Sequence, residues 1–137
     1  MLSEGDRPST GRPVLVVEDS ENSAVMLEIA LSGIPRVTVV LAPSATEAWR
    51  ILSGHGPSIQ AMVTDLNMPR MDGFELIRRV RADGRLAEMP IVVVSADTDP
   101  GTPGRIAQLG VNAFFAKPFS PAEVRRKLEQ ILDGTTD

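Results

Sequence analysis

The sequence predicts an α/β fold: a five-stranded parallel sheet in (βα)5 order, doubly wound, with helices on both faces. Three observations lead there. Residues 14–17, 37–41, 61–64 and 91–95 are short, rich in β-branched side chains and almost continuously apolar, as strands buried on both faces are. Helical patterns of crossover length separate them, and right-handed βαβ connections turn that alternation into an open sheet. The length, 137 residues, accommodates one continuous core but not comfortably two.

Taken in order, the first strand, residues 14–17, reads Val-Leu-Val-Val and is followed by a helix over 24–31 that only Glu28 interrupts. An outer helix apolar all round, with Val25 and Ile29 beyond the usual core positions, suggests that something else covers it. The second strand, 37–41, leads to Ser44-Ala45-Thr46-Glu47, which has capping-box form and opens a helix through Leu52. In that helix Trp49 falls where it would pack, wholly or partly, against the sheet. The third strand, 61–64, ends at Asp65, and a helix over 73–82 carries Phe74, Ile77 and Val80 at helical spacing. After the fourth strand, 91–95, residues 98–104 read TDPGTPG; two Pro and two Gly there predict a short, late fourth helix over 105–109. Ala113-Phe114-Phe115 forms a short fifth strand, with Phe115 the expected core aromatic. The last helix has Ser120 as N-cap, Pro121 at the first position and Glu123 at the third, ahead of an apolar stripe of Val124, Leu128, Ile131 and Leu132.

The expected organisation is a flexible N-terminal segment 1–12, one domain over 13–133 and a tail 134–137. The first residues lack the apolar run of a signal peptide, and no stretch approaches the roughly 20 apolar residues of a bilayer span, so no membrane association is expected. Apolar residues at 42% and charged residues at 23% fit a globular chain rather than a disordered one. The absence of cysteine excludes disulfides, thiolate catalysis and thiolate metal sites, and is compatible with a cytoplasmic location. The single histidine, His55, lies in a turn composition and reads as a solvated loop residue. A net charge of -4 argues against direct nucleic-acid binding, which needs clustered cations.

In an open parallel sheet, ligands and chemistry collect beyond the carboxyl ends of the strands. Those ends carry Glu18 and Asp19 after the first strand, Asp65 after the third, Ser95 after the fourth and Lys117 after the fifth. Singly, each has a plain structural use: a helix cap, an Asx turn, a strand end, a solvated ammonium. Together they put three carboxylates, a hydroxyl and an ammonium on one edge. Such acids repel one another unless a cation intervenes. Oxygen ligands alone select a hard ion such as Mg²⁺, which takes one or two carboxylates and completes its shell with water and phosphoryl oxygen. One carboxylate is then left as nucleophile. Asp65, central in the sheet, is the candidate, with Ser95 and Lys117 to receive phosphoryl oxygens.

The segments VLVVEDS, TDLNMPRMDGFEL, IVVVSA and FFAKPFS, in this order, resemble the receiver domain of bacterial two-component response regulators, of the chemotaxis-regulator type, over about residues 13–132. The resemblance implies a flavodoxin-like three-layer sandwich with strand order 2-1-3-4-5. It also implies Asp65 as phosphoacceptor, Glu18 and Asp19 as the acidic pair with Asp19 the more direct metal ligand, and Asn67 lending a backbone carbonyl to Mg²⁺, for which Mn²⁺ is a substitute. Ser95 becomes the switch hydroxyl, Phe114 the switch aromatic and Lys117 the phosphate-pairing lysine, aimed by a cis Lys117-Pro118 peptide. Asn67 and Asp97, each two positions beyond a site residue, would tune the phosphoryl lifetime. The implied partners are a histidine kinase or histidine phosphotransfer protein and an unknown downstream protein, with a homodimer as a further option. The chain would act as a signalling switch, a phosphorelay intermediate or an excised receiver, catalysing only its own phosphorylation and hydrolysis. Two rivals fit the residues less well. A flavodoxin-like cofactor binder needs a Ser/Thr/Gly-rich loop where Glu18-Asp19 would repel phosphate. An aspartyl-nucleophile phosphatase of the haloacid dehalogenase type needs an acid where Asn67 stands.

Overall fold

The computed structural model describes residues 11–54 and 58–134. His55, expected in a solvated turn, lies outside the described residues. Five strands and five helices alternate: β1 Arg12–Val17, α1 Glu21–Leu31, β2 Val37–Ala42, α2 Ala45–Ser53, β3 Ala61–Thr64, α3 Gly73–Ala82, β4 Ile91–Ser95, α4 Thr102–Gln108, β5 Ala113–Ala116 and α5 Pro121–Asp133. All neighbouring strands are parallel, in the order β2-β1-β3-β4-β5. The α/β fold and strand order are those the sequence predicts.

Period-two alternation explains why the strands read as unbroken apolar runs. In β1, Leu15 and Val17 pack toward α2, α3 and α4 with Ala48, Ile77 and Ile106, whereas Val14 and Val16 pack toward α1 and α5 with Leu27 and Leu128. Each face thus removes its side chains from water, and a fully buried Val, Leu or Ile contributes about 1.5–3 kcal/mol. β2 lies at one edge; it reads Val-Thr-Val-Val-Leu-Ala, has no charged residue, and leaves Leu41 at 41% exposure. Trp49 is partly buried against the α2–α4 face, with the Arg79 guanidinium 6.0 Å from its ring centre. Phe114 and Phe115 are both only partly buried, because β5 is the opposite edge strand.

Helix starts follow local chemistry. Ser20, Ser44, Asp72 and Ser120 each accept the backbone N–H three residues on. α1 therefore starts at Glu21, three residues before the apolar pattern, because Ser20 accepts from the Ser23 N–H. The fourth helix departs further from expectation: it spans Thr102–Gln108, not 105–109. Pro103 stands in the first turn, where a missing N–H costs nothing, and Asp99 Oδ1 accepts the Gly101 N–H at 2.8 Å. The Gly/Pro-rich stretch is thus spent on a compact turn, not on delaying the helix.

Candidate functional site at the strand ends

β1 and β3 are adjacent, so parallel register sets Glu18 and Asp19 beside Asp65, whose N–H donates to the Val17 carbonyl at 3.0 Å. Asp65 is buried, and its Oδ1 accepts the Leu66 N–H at 2.6 Å and the Asn67 N–H at 3.4 Å. Its Oδ2 accepts from Lys117 Nζ at 3.1 Å, across 52 positions of sequence. The loop that follows closes on itself: the Gly73 N–H donates to the Leu66 carbonyl at 2.8 Å. A Cβ at Gly73 would stand 2.2 Å from the Asp65 carbonyl oxygen and 2.7 Å from Leu66 Cα, so only glycine allows α3 to begin this close to the end of β3.

Lys117 also lies 2.9 Å from Glu18 Oε1. That contact is an ion pair without hydrogen-bond alignment, and Glu18 Oε1 stays buried with no hydrogen-bond partner, while Oε2 accepts the Ser20 N–H at 3.0 Å. Burial pushes the Glu18 carboxyl above its ordinary 4.5, helped by the nearby Asp65 charge and only partly opposed by Lys117 and Ser20. For Lys117, burial works against the charge, but its contacts with Glu18 and Asp65 outweigh it and leave the ammonium above its ordinary 10.5. The Lys117-Pro118 peptide is cis.

Carboxylate oxygens of Glu18, Asp19 and Asp65 lie within 4.8 Å of one another, Asp19 exposed and the other two buried. One buried oxygen without a hydrogen bond and three carboxylates at this separation form an all-oxygen donor set that fits a hard divalent cation. Asn67 is exposed at the rim. Ser95 is fully buried at the end of β4, and its Oγ accepts the Asp97 N–H at 3.1 Å. Phe114 stands apart from this group, lining with Pro103, Ile106 and Val111 a cavity of about 120 Å³ between α4 and β5. Arg105 stacks on the Phe74 ring at 3.8 Å.

The response regulator receiver domain family model matches residues 14–129. The chain belongs to that family. It is 35% identical over 124 residues to the chemotaxis protein CheY1 of Helicobacter pylori strain J99, covering 90% of this chain and 98% of that protein. It is 36% identical over 129 residues to the two-component response regulator ORR6 of Oryza sativa subsp. japonica, covering 93% and 75%. A response regulator receiver protein from Pseudomonas putida superposes with a TM-score of 0.79 at 33% identity, covering 88% of this chain and 97% of that one. This chain is therefore a receiver domain of two-component signalling, similar to chemotaxis regulators. No helix among the described residues is long and apolar enough to cross a membrane.

Two contributors escaped sequence reasoning. The close approach of Gly73 to Asp65 arises from tertiary placement of α3, although the Asp72-Gly73 pair marks the turn. Thr102 is buried and bonded to Asp97; its one sequence signal is Thr102-Pro103, the same Ser/Thr-Pro form that opens α5 at Ser120-Pro121.

Proposed function

We propose that the receiver accepts a phosphoryl group on Asp65 in a Mg²⁺-dependent reaction and signals by a change of packing around Ser95 and Phe114. The observation that carries this reading is the placement of Lys117 Nζ between Asp65 Oδ2 and Glu18 Oε1, at 3.1 and 2.9 Å. A cation there neutralises the acceptor at rest and is at hand for the phosphoryl oxygens once the anhydride forms. Glu18, Asp19 and Asp65, with the Asn67 carbonyl, would hold Mg²⁺, or Mn²⁺ in its place. When bound, that ion offsets negative charge on the acceptor and the incoming phosphoryl group.

An Asp65 carboxylate oxygen attacks phosphorus in line, the bond from phosphorus to the donor's histidine nitrogen breaks, and its electron pair leaves on the imidazole. The backbone N–H groups of Leu66 and Asn67 keep the carboxylate oriented through the attack. Lys117 then pairs with one phosphoryl oxygen, and Ser95 turns to donate its hydroxyl to another. The space Ser95 vacates favours inward movement of Phe114, a two-state shift that phosphorylation biases. Asn67 and Asp97, at the rim, tune the lifetime of the anhydride. The domain catalyses only its own phosphorylation and hydrolysis.

The donor is a histidine kinase or histidine phosphotransfer protein, and a downstream protein reads the outcome. On α1, Val25, Met26 and Ile29 are 47%, 44% and 71% exposed, an apolar surface suited to a partner's helices. Charged residues at Val25 and Ile29 should slow transfer from the protein donor and spare transfer from acetyl phosphate; equal slowing of both would remove this surface from consideration. The reading as a whole is tested by incubating the protein with acetyl phosphate and Mg²⁺ and measuring intact mass. Wild type should gain one phosphoryl group and Asp65→Asn none; a gain that persists in Asp65→Asn places the acceptor elsewhere.

A further inference from the structure

Among the described residues, the buried polar or charged side chains are Glu18, Thr64, Asp65, Ser95 and Thr102. Four belong to the site or adjoin it; Thr102, in the first turn of α4, has no part in the reaction derived above. Its Oγ1 donates to Asp97 Oδ1 at 2.9 Å, and the same oxygen accepts the Asp99 N–H at 2.8 Å. The Asp97 N–H donates in turn to Ser95 Oγ at 3.1 Å. Hydrogen bonds therefore run in series from the buried start of α4 to the side chain of Asp97, and from the backbone N–H of Asp97 to the hydroxyl at the end of β4. Those on the carboxylate are charge-assisted and stronger than neutral pairs.

We propose that Thr102 is a positioning residue for phosphorylation: through Asp97 it holds Ser95 in the arrangement described here and opposes the one in which Ser95 serves the phosphoryl group. The inference rests on Asp65 being the phosphoacceptor. Turning Ser95 toward Asp65 withdraws its Oγ from the Asp97 N–H, and Asp97 can follow only by straining or breaking its bonds to Thr102 and Asp99. The resting packing is thus stabilised by bonds that the phosphorylated packing loses, and the equilibrium between them shifts by that difference. Phosphorylation by a small donor then scales with the fraction of molecules already in the competent packing. Relaxing the series at its α4 end raises that fraction and frees the start of α4, the element that bears on Phe114.

The test is the initial rate of phosphorylation by acetyl phosphate with Mg²⁺, followed by intact mass, beside a thermal melt of each variant. Thr102→Val keeps the shape and deletes the donor; it should raise the rate about tenfold or more, the effect of one hydrogen bond to a charged group. Thr102→Ser, which keeps the hydroxyl, should return to the wild-type rate. In an Asp97→Ala background Thr102→Val should add nothing, because the two act through one bond. A lower melting temperature for Thr102→Val with an unchanged or slower rate means a merely structural hydroxyl and overturns the proposal. Should Thr102→Val fail to fold, Asp97→Ala, at a partly exposed position, decides instead: a faster rate supports the proposal, and an unchanged or slower one overturns it. A wild type that takes up no phosphoryl group overturns the functional reading, and this inference with it.

Discussion

Glu18 concentrates the electrostatics of the site at a single residue. Burial raises its pKa above 4.5, so the folded chain holds this proton more tightly than the unfolded one does. Where the folded state binds the extra proton, stability falls as pH rises. Glu18 therefore makes the metal-free domain lose stability across a window that opens at 4.5 and ends at the raised value. Lys117 acts at the other extreme: its favourable contribution is complete below 10.5 and is lost only as pH climbs through its own raised value. A divalent cation held as proposed would compete with the Glu18 proton, so Mg²⁺ should raise the melting temperature most above the Glu18 window and least below it. Melting curves against pH, with and without Mg²⁺, check this; in Glu18→Gln both the slope and the Mg²⁺ increment should shrink, and an unchanged slope would assign the proton to another group. That an acid pair stands after the first strand was legible in the sequence. That one Glu18 oxygen is left without a hydrogen bond was not, since it depends on where Lys117 comes to rest.

At the scale of the element, β3 and α3 act as one unit through Gly73. Two effects oppose each other at this residue. Alanine is favoured over glycine within a helix by about 1 kcal/mol, but a methyl group 2.2 Å from the Asp65 carbonyl oxygen forces backbone apart, and overpacking of this kind costs about 1–3 kcal/mol. Gly73→Ala should therefore be less stable by urea denaturation and, because the displaced atoms belong to Asp65 itself, slower to phosphorylate. A variant of unchanged stability and rate would show that the loop can yield. The strands at 61–64 and 91–95 and the helix at 73–82 were readable to the residue, because β-branched runs and an Asp72 cap specify them locally. The start of α4 was not, because the carboxylates of Asp97 and Asp99 fold a Gly/Pro stretch that composition alone reads as loop. Lys117 belongs to a third kind: its approach to Asp65 follows from strand order, which the family resemblance implies but alternation alone does not.

For the whole molecule, the end of the sheet opposite the site is tied by Arg81. Its guanidinium donates to the carbonyls of Leu109, Ala87, Met89 and Gly110, at 2.8, 2.9, 2.8 and 2.9 Å, joining the end of α3, the chain entering β4 and the turn after α4. Arg81→Ala would leave these acceptors to water or unpaired and should lower the unfolding free energy by about 2 kcal/mol in urea titrations, while phosphorylation of the fraction still folded keeps its rate. An equal loss of rate would couple the two ends of the sheet. The global order of strands and helices was legible because the code for it is redundant, spread over many apolar positions; Arg81 was not, because one arginine near a helix end reads as a solvated charge until the carbonyls gather around it. The β2 rim has a consequence of a different kind. Among the described residues no strand pairs with the outer side of β2, and its six uncharged residues with an outward-facing leucine offer a template to which an extended strand from another molecule can add. Concentrated stocks of this protein should therefore aggregate more readily than those of a variant with a lysine at the exposed Thr38 position, and light scattering of the two side by side checks this.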